Sequence, residues 1–131
     1  MTFEDAHRRI KRGDLIALRN ALDAGLDPNL ANQFSWTLLM LAASEGNTQI
    51  GEMLFAKGAE VERQNKVGET ALSLAAHKGH ERFVDWLLRI GATTDVQPHG
   101  HSLRNWIVQT SGLPSAKQRS MLALLRLLQL H

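Results

Sequence analysis

The amino-acid sequence repeats itself with a constant period of about 33 residues. When the stretch 32–59 is shifted forward by one period, turn glycines, a threonine, leucines and a pair of alanines fall on identical residues. The coinciding pairs include Asn32 and Asn65, Thr37 and Thr70, Leu39 and Leu72, Ala42-Ala43 and Ala75-Ala76, Gly46 and Gly79, Leu54 and Leu87, and Gly58-Ala59 and Gly91-Ala92. A constant period of this length, built on glycines and small residues, indicates a stack of similar structural units.

The stretch from Asn65 to Ala92 resembles the ankyrin repeat, whose pattern reads G-x-T-P-L-H-x-A-A-x-x-G-H-x-x-x-V-x-x-L-L-x-x-G-A. Two well-formed copies cover residues 32–97. They depart from the pattern where its proline is Leu38 or Ala71 and its histidine is Met40 or Ser73. The resemblance implies an all-α solenoid of about four helix-turn-helix repeats joined by β-turn fingers.

We expect a single domain over residues 1–131, with repeats at approximately 1–31, 32–64, 65–97 and 98–131. Gly13 and Gly25 lie one period before Gly46 and Gly58, which predicts a first repeat. Its first helix is polar (HRRIKR), as expected of the end of a stack.

The last repeat is degenerate after Gly100. The sequence predicts an inner helix from Leu103 to Thr110 and, after a longer connection, a helix from Ala116 to near Gln129. Ser115 followed by Gln118 predicts a capping box at the start of that last helix.

Composition and motifs exclude several function classes. The chain has no cysteine, and its N-terminus lacks the apolar run of a secretory signal. The apolar region 121–130 is too short to cross a bilayer. The sequence contains no P-loop, G-x-G-x-x-G, G-x-S-x-G or H-E-x-x-H pattern. We therefore expect a soluble, cytoplasmic protein that is not an enzyme and has no cofactor.

The resemblance implies binding through a concave face, made by the finger tips and the exposed sides of the inner helices. The positions that it assigns to this face are Gln33, Phe34, Trp36, Ser44, Glu45, Lys66, Val67, Glu69, His77, Lys78, His99 and His101. Phe34 and Trp36 have two interpretations. They are apolar anchors for a partner, or they pack on Pro28, Leu30 or a neighbouring finger.

The leucine-rich C-terminal helix also has two interpretations. It covers the apolar side of the last repeat, in which case the protein is a monomer, or it forms half of a homodimer or a groove for a partner. We favour the covering role.

The histidines are candidates for metal binding and for pH-dependent binding of a partner. His80 occupies the position shared with Asp14 and Asn47, where a polar group caps the outer helix, and no cysteine completes a metal site. We predict no metal. Since His77, His99 and His101 fall near the expected binding side, we predict that affinity changes between pH 5 and 8.

The predicted function is non-catalytic binding of a partner protein, as a small inhibitor, an immunity protein or an adaptor. The alternative is binding of nucleic acid or of an acidic surface through the basic ends of the chain. The basic residues at issue are Arg8, Arg9, Lys11 and Arg12 at one end, and Arg104, Lys117, Arg119 and Arg126 at the other.

Overall fold

The computed structural model describes residues 1–129, with side chains described as far as Arg126. Regular structure in this range is helical. The helices are α1 (Phe3–Arg12), α2 (Leu15–Asp23), α3 (Leu38–Glu45), α4 (Thr48–Ala56), α5 (Ala71–Lys78), α6 (Glu81–Arg89), α7 (Leu103–Asn105) and α8 (Ser115–Gln129). A 3-10 turn, Pro98–Gly100, precedes α7, and a π-helical turn, Trp106–Thr110, follows it.

The helices form two layers. The inner helices α1, α3 and α5 pack side by side, and the π turn after α7 continues the row against α5. The outer helices α2, α4, α6 and α8 form the second row. The expected all-α solenoid is confirmed.

Threonines and glycines set the ends of the inner helices. The Thr37 hydroxyl accepts the Met40 N–H at the start of α3, and Thr70 and Ser73 form a capping box at the start of α5. Thr2 and Asp5 form a capping box of the same kind at the start of α1. Because each inner helix ends at a left-handed glycine, the chain turns sharply into the outer helix.

Small residues let the inner helices approach one another closely. Ala42, Ala43, Ala75 and Ala76 have no exposed surface, and large side chains such as Leu54, Leu87 and Phe83 fill the space towards the outer helices. This packing leaves the fingers and one side of the inner helices free to face outward.

His80 differs from the prediction that it caps α6. Its side chain makes no capping hydrogen bond, whereas Asp14 and Asn47 cap α2 and α4 as predicted. The His80 Nε2 lies 3.0 Å from the carbonyl oxygen of Ser44, at the end of α3. The imidazole is long enough to reach the preceding repeat, so it connects two repeats.

The fourth helix pair is irregular at its beginning. The segment 103–110 is helical as predicted, but it widens into the π turn, where the Thr110 and Ser111 hydroxyls donate to the carbonyls of Trp106 and Ile107. The predicted Ser115 capping box is wrong. Ser115 already lies within α8, and the side-chain amide of Gln118 donates to the Leu113 carbonyl.

Helix α8 packs on α6. Met121 and Leu125 are buried, and Leu122 and Leu124 are partly buried against the same core. The side chains of Leu127 and Leu128, which belong to the predicted leucine-rich surface, lie outside the described residues. The described part of α8 thus covers the last regular repeat.

Candidate protein-binding face

Two asparagines hold the finger turns in shape. The Asn32 side-chain oxygen accepts the backbone N–H groups of Phe34 and Trp36, both at 3.0 Å. Asn65 repeats this arrangement with the N–H groups of Val67 and Glu69. Each turn is therefore fixed by one side chain.

Successive fingers are also joined through their backbones. The Lys66 N–H donates to the carbonyl of Phe34 at 3.1 Å, and the His99 N–H donates to the carbonyl of Val67 at 2.7 Å. His99 takes up a left-handed conformation, with φ of 51°. The three fingers consequently form a continuous edge beside the inner helices. We call this edge, together with the exposed side of the inner helices, the inner face.

A groove lies at the N-terminal end of the inner face, with a volume of about 300 Å³. We call it the aromatic groove. It is lined by Phe3, His7, Asn32, Phe34, Trp36, Leu41, Ser44 and Glu45. Helix α1, the first finger and helix α3 all contribute to it, so it exists only because two repeats are stacked.

The two predicted aromatic residues differ in exposure. Phe34 is 55% exposed, whereas Trp36 is half-buried and packs against the core. The burial of Trp36 agrees with a packing role, whereas the role of Phe34 as an anchor stays a prediction. Trp36 supports the wall of the groove, and Phe34 leaves an apolar ring open to solvent.

Glu45 is exposed at the end of α3, and its side chain forms no ion pair or hydrogen bond with any described residue. The other inner helices end differently, since α1 carries Arg9, Lys11 and Arg12 in its last turn and α5 carries His77 and Lys78. A helix C-terminus has a partial negative charge that favours cations. Glu45 therefore makes this position of the inner face more negative than its neighbours.

A second cluster lies at the C-terminal end of the inner face, around Trp106. The ring of Trp106 stacks with His77 at 4.4 Å and with His99 at 5.0 Å between ring centroids, and His101 lies 6.3 Å away. The indole is buried and donates to the Ser73 carbonyl at 3.2 Å. We call these four residues the Trp106 cluster.

His77 is the member of this cluster with an altered acidity. Partial burial lowers the pKa of His77 below its usual value, and the charge of Lys78 acts in the same direction, while the hydrogen bond with Thr110 opposes the shift. The cluster therefore favours a neutral imidazole at this position.

Comparison with known proteins identifies the architecture. The family model described as ankyrin repeats (3 copies) matches residues 6–98. The chain belongs to the ankyrin-repeat family.

The chain matches only short parts of its much longer relatives. The chain is 36% identical over 84 residues to the ankyrin repeat and KH domain-containing protein mask-1 of Caenorhabditis elegans. These residues are 63% of this chain and 3% of the relative. The chain is 42% identical over 71 residues to M-phase phosphoprotein 8 of Rattus norvegicus, covering 53% of the chain and 8% of the relative. The inactive serine/threonine-protein kinase TEX14 of Bos taurus is 29% identical over 114 residues, covering 87% of the chain and 7% of the relative.

The remaining predicted residues of the ankyrin inner face fall into exposed and buried sets. Gln33, Lys66, Val67 and Lys78 are exposed. Glu69 is not: it is buried, it accepts a hydrogen bond from the Asn65 side chain at 2.7 Å, and its other oxygen lies 3.6 Å from His99 Nε2. The expectation that Glu69 lies exposed at a finger tip is wrong, because its side chain turns inward to Asn65.

Sequence reasoning missed Phe3, His7 and Trp106. The repeat register contained a signal for two of them, since Phe3 corresponds to Trp36 and His7 to Met40. The polar sequence of α1 concealed that signal, because only one side of that helix is apolar. In the described part of the chain, no three histidine or acidic side chains are grouped as metal ligands, and no helix is long and apolar enough to span a membrane.

Proposed function

We propose that this chain is a non-catalytic module that binds a partner protein through its inner face. Ankyrin repeats are generally protein-binding modules, and the relatives are ankyrin-repeat proteins. The observation that carries the proposal is the aromatic groove, where Phe34 is more than half exposed beside Trp36. Exposed aromatic rings in a groove are typical anchors of an interface.

Preorganisation supports the same proposal. The finger turns are fixed by Asn32 and Asn65 and joined by backbone hydrogen bonds. A face that is already ordered loses little conformational entropy on docking. Roles as an inhibitor, an immunity protein or an adaptor all follow from masking or joining partners in this way, and a cytoplasmic location stays a prediction.

Binding through the basic ends remains the alternative outcome. Arg8 pairs with Asp5, and Arg9 pairs with Asp14 at 3.2 Å, so half of the basic cluster of α1 already contacts carboxylates. Exposed pairs of this kind are weak. The test therefore includes conditions that separate the two modes.

The test compares three baits in affinity capture from lysate of the source cells: the wild type, Phe34→Ala and Phe55→Ala. Phe55 is a matched control, because it is also an exposed phenylalanine but lies on the outer helix α4. Captured proteins are identified, and the affinity of the purified partner for each bait is measured with nuclease present and with varied salt.

We expect Phe34→Ala to lower the affinity for the purified partner about 30-fold, as for an interface anchor. Phe55→Ala is expected to leave this affinity within about threefold of the wild type. A partner that binds all three baits equally contradicts the proposal. Capture that disappears with nuclease and ignores Phe34→Ala assigns binding to the basic ends instead.

A further inference from the structure

We propose that the aromatic groove binds an arginine side chain of the partner, with the guanidinium between the aromatic rings and the carboxylate of Glu45. This inference rests on the proposed function and specifies the chemistry of one position within it. The observations that support it are the composition of the groove walls and the isolation of one charge.

The aromatic walls of the groove favour binding of a planar or cationic group. Phe3, Phe34 and Trp36 come from two different elements and line the same space of about 300 Å³. The face of an aromatic ring carries negative electrostatic potential and attracts cations, most strongly for tryptophan. An aliphatic stem packs on the same rings, so a long cationic side chain contacts the aromatic walls with both its stem and its charged end.

The charge of the groove points to a cation. Glu45 lines the groove, and it has no partner among the described residues. It is also the last residue of α3, where the helix dipole adds negative potential. His80 reaches the end of this helix and bonds the Ser44 carbonyl, but forms no ion pair with Glu45. The position that a basic residue occupies in α1 and α5 is thus left for a ligand.

Neighbouring charges limit what else can enter. Arg12 and Lys78 lie one repeat to either side of Glu45, at the corresponding ends of α1 and α5, and both are exposed. A run of basic residues in the partner would meet these two cations at once. The groove therefore fits a single arginine flanked by neutral or acidic residues.

Arginine fits this groove better than lysine or an apolar residue. The guanidinium is planar, stacks on aromatic rings and pairs with a carboxylate through two parallel hydrogen bonds. The lysine ammonium is compact and strongly hydrated, and it loses more hydration on entering. An aliphatic side chain fills the groove but leaves Glu45 unpaired.

The chain offers a direct probe of this binding, because it has three tryptophans: Trp36, Trp86 and Trp106. Each indole N–H gives a separate signal in a ¹H–¹⁵N spectrum, assigned through Trp→Phe variants. The full chain is titrated with N-acetyl-argininamide, N-acetyl-lysinamide and N-acetyl-norleucinamide. We expect the arginine probe to shift the Trp36 signal, with Trp86 on the outer helix α6 unaffected.

The variant Glu45→Gln tests the charge without changing the size of the side chain. We expect it to lower the affinity for the arginine probe about tenfold, whereas the affinity for the norleucine probe is unchanged. Glu52→Gln is the matched control, since Glu52 is an exposed carboxylate on the outer helix α4. Glu45→Gln is expected to fold normally, because Glu45 is exposed and unpartnered.

Three results would overturn the inference: no shift of Trp36 with the arginine probe, equal binding of the norleucine probe, or equal effects of Glu45→Gln and Glu52→Gln. A fourth result would also overturn it, namely tighter binding of N-acetyl-dimethyl-lysinamide, titrated as an additional cationic probe, than of the arginine probe. The proposed function survives each of these results if the partner still depends on Phe34, so the two failures are distinguishable.

Discussion

Asn32 and Asn65, which occupy the same position of successive repeats, perform the same structural task in neighbouring fingers. Each side-chain oxygen accepts two backbone N–H groups of its own turn. Their surroundings differ, since Asn32 is half-buried whereas Asn65 is 5% exposed and also donates to Glu69. The asparagine at this position therefore contributes a different amount to the free energy of unfolding in each finger.

This difference predicts unequal losses of stability. We expect Asn65→Ala to lower the free energy of unfolding by about 2–3 kcal/mol, because it removes the hydrogen-bond donor to the buried Glu69 carboxylate and the acceptor of the buried Glu69 N–H. Asn32→Ala costs about 1 kcal/mol, since water reaches the exposed finger. Urea unfolding measures both, with Asn20→Ala on the exposed side of α2 as a control. Equal losses for the two variants would contradict the interpretation.

A second prediction concerns the contact between repeats at His80. Gly46 has φ of 70°, and a Cβ atom added there would lie 2.5 Å from His80 Nδ1. Gly112 has φ of 71° and no neighbour within 4 Å of such an atom. Gly112→Ala therefore measures the backbone strain alone, about 1–2 kcal/mol.

We expect Gly46→Ala to cost about 1 kcal/mol more than Gly112→Ala, as overpacking does. Truncating the imidazole in Gly46→Ala/His80→Ala removes the clash, so the two substitutions are less than additive in unfolding measurements. Strict additivity would show that His80 moves aside freely.

The third prediction tests the covering role of α8. Met121 is fully buried in the described structure, so Met121→Ala lowers the free energy of unfolding by about 2–4 kcal/mol. Ser120→Ala, on the exposed side of the same helix, changes it by about 0.5 kcal/mol or less. Sedimentation is expected to give a monomer for the wild type. A wild-type dimer that Met121→Ala dissociates would support the alternative interpretation of this helix.

Much of the fold was predictable because the repeat fixes it locally. Thr37 and Thr70 cap the inner helices, and the alanine pairs permit close packing, so one period predicts the next. The two predictions that failed, a capping box at Ser115 and a capping role for His80, concern side chains with a competing hydrogen-bond partner. The Gln118 side chain donates to the nearby Leu113 carbonyl instead of pairing with Ser115, and the His80 ring reaches Ser44 in the preceding repeat.

The candidate site was predictable only in part, for a similar reason. The resemblance gives the positions of the inner face, but it does not give the partners of each side chain, which come from its own finger or from the next repeat. Glu69 turns to Asn65 within its own finger, and Phe3 joins Phe34 across two repeats. The register alone does not distinguish an exposed carboxylate such as Glu45 from a buried one such as Glu69.

The lowered pKa of His77 makes stability depend on pH. Because burial lowers the pKa in the folded state below the unfolded value of about 6.5, the unfolded chain binds the proton more readily. The stability from neutral His77 is present above pH 6.5 and decreases as the pH falls below it. Lys78 and His99 act in the same direction as burial, while Glu69 opposes it. We expect His77→Asn to flatten the decline in unfolding free energy between pH 7 and 5, with His7→Asn as the control. An unchanged slope in His77→Asn would contradict this account, whereas a uniform loss at every pH would reflect only the lost stacking on Trp106.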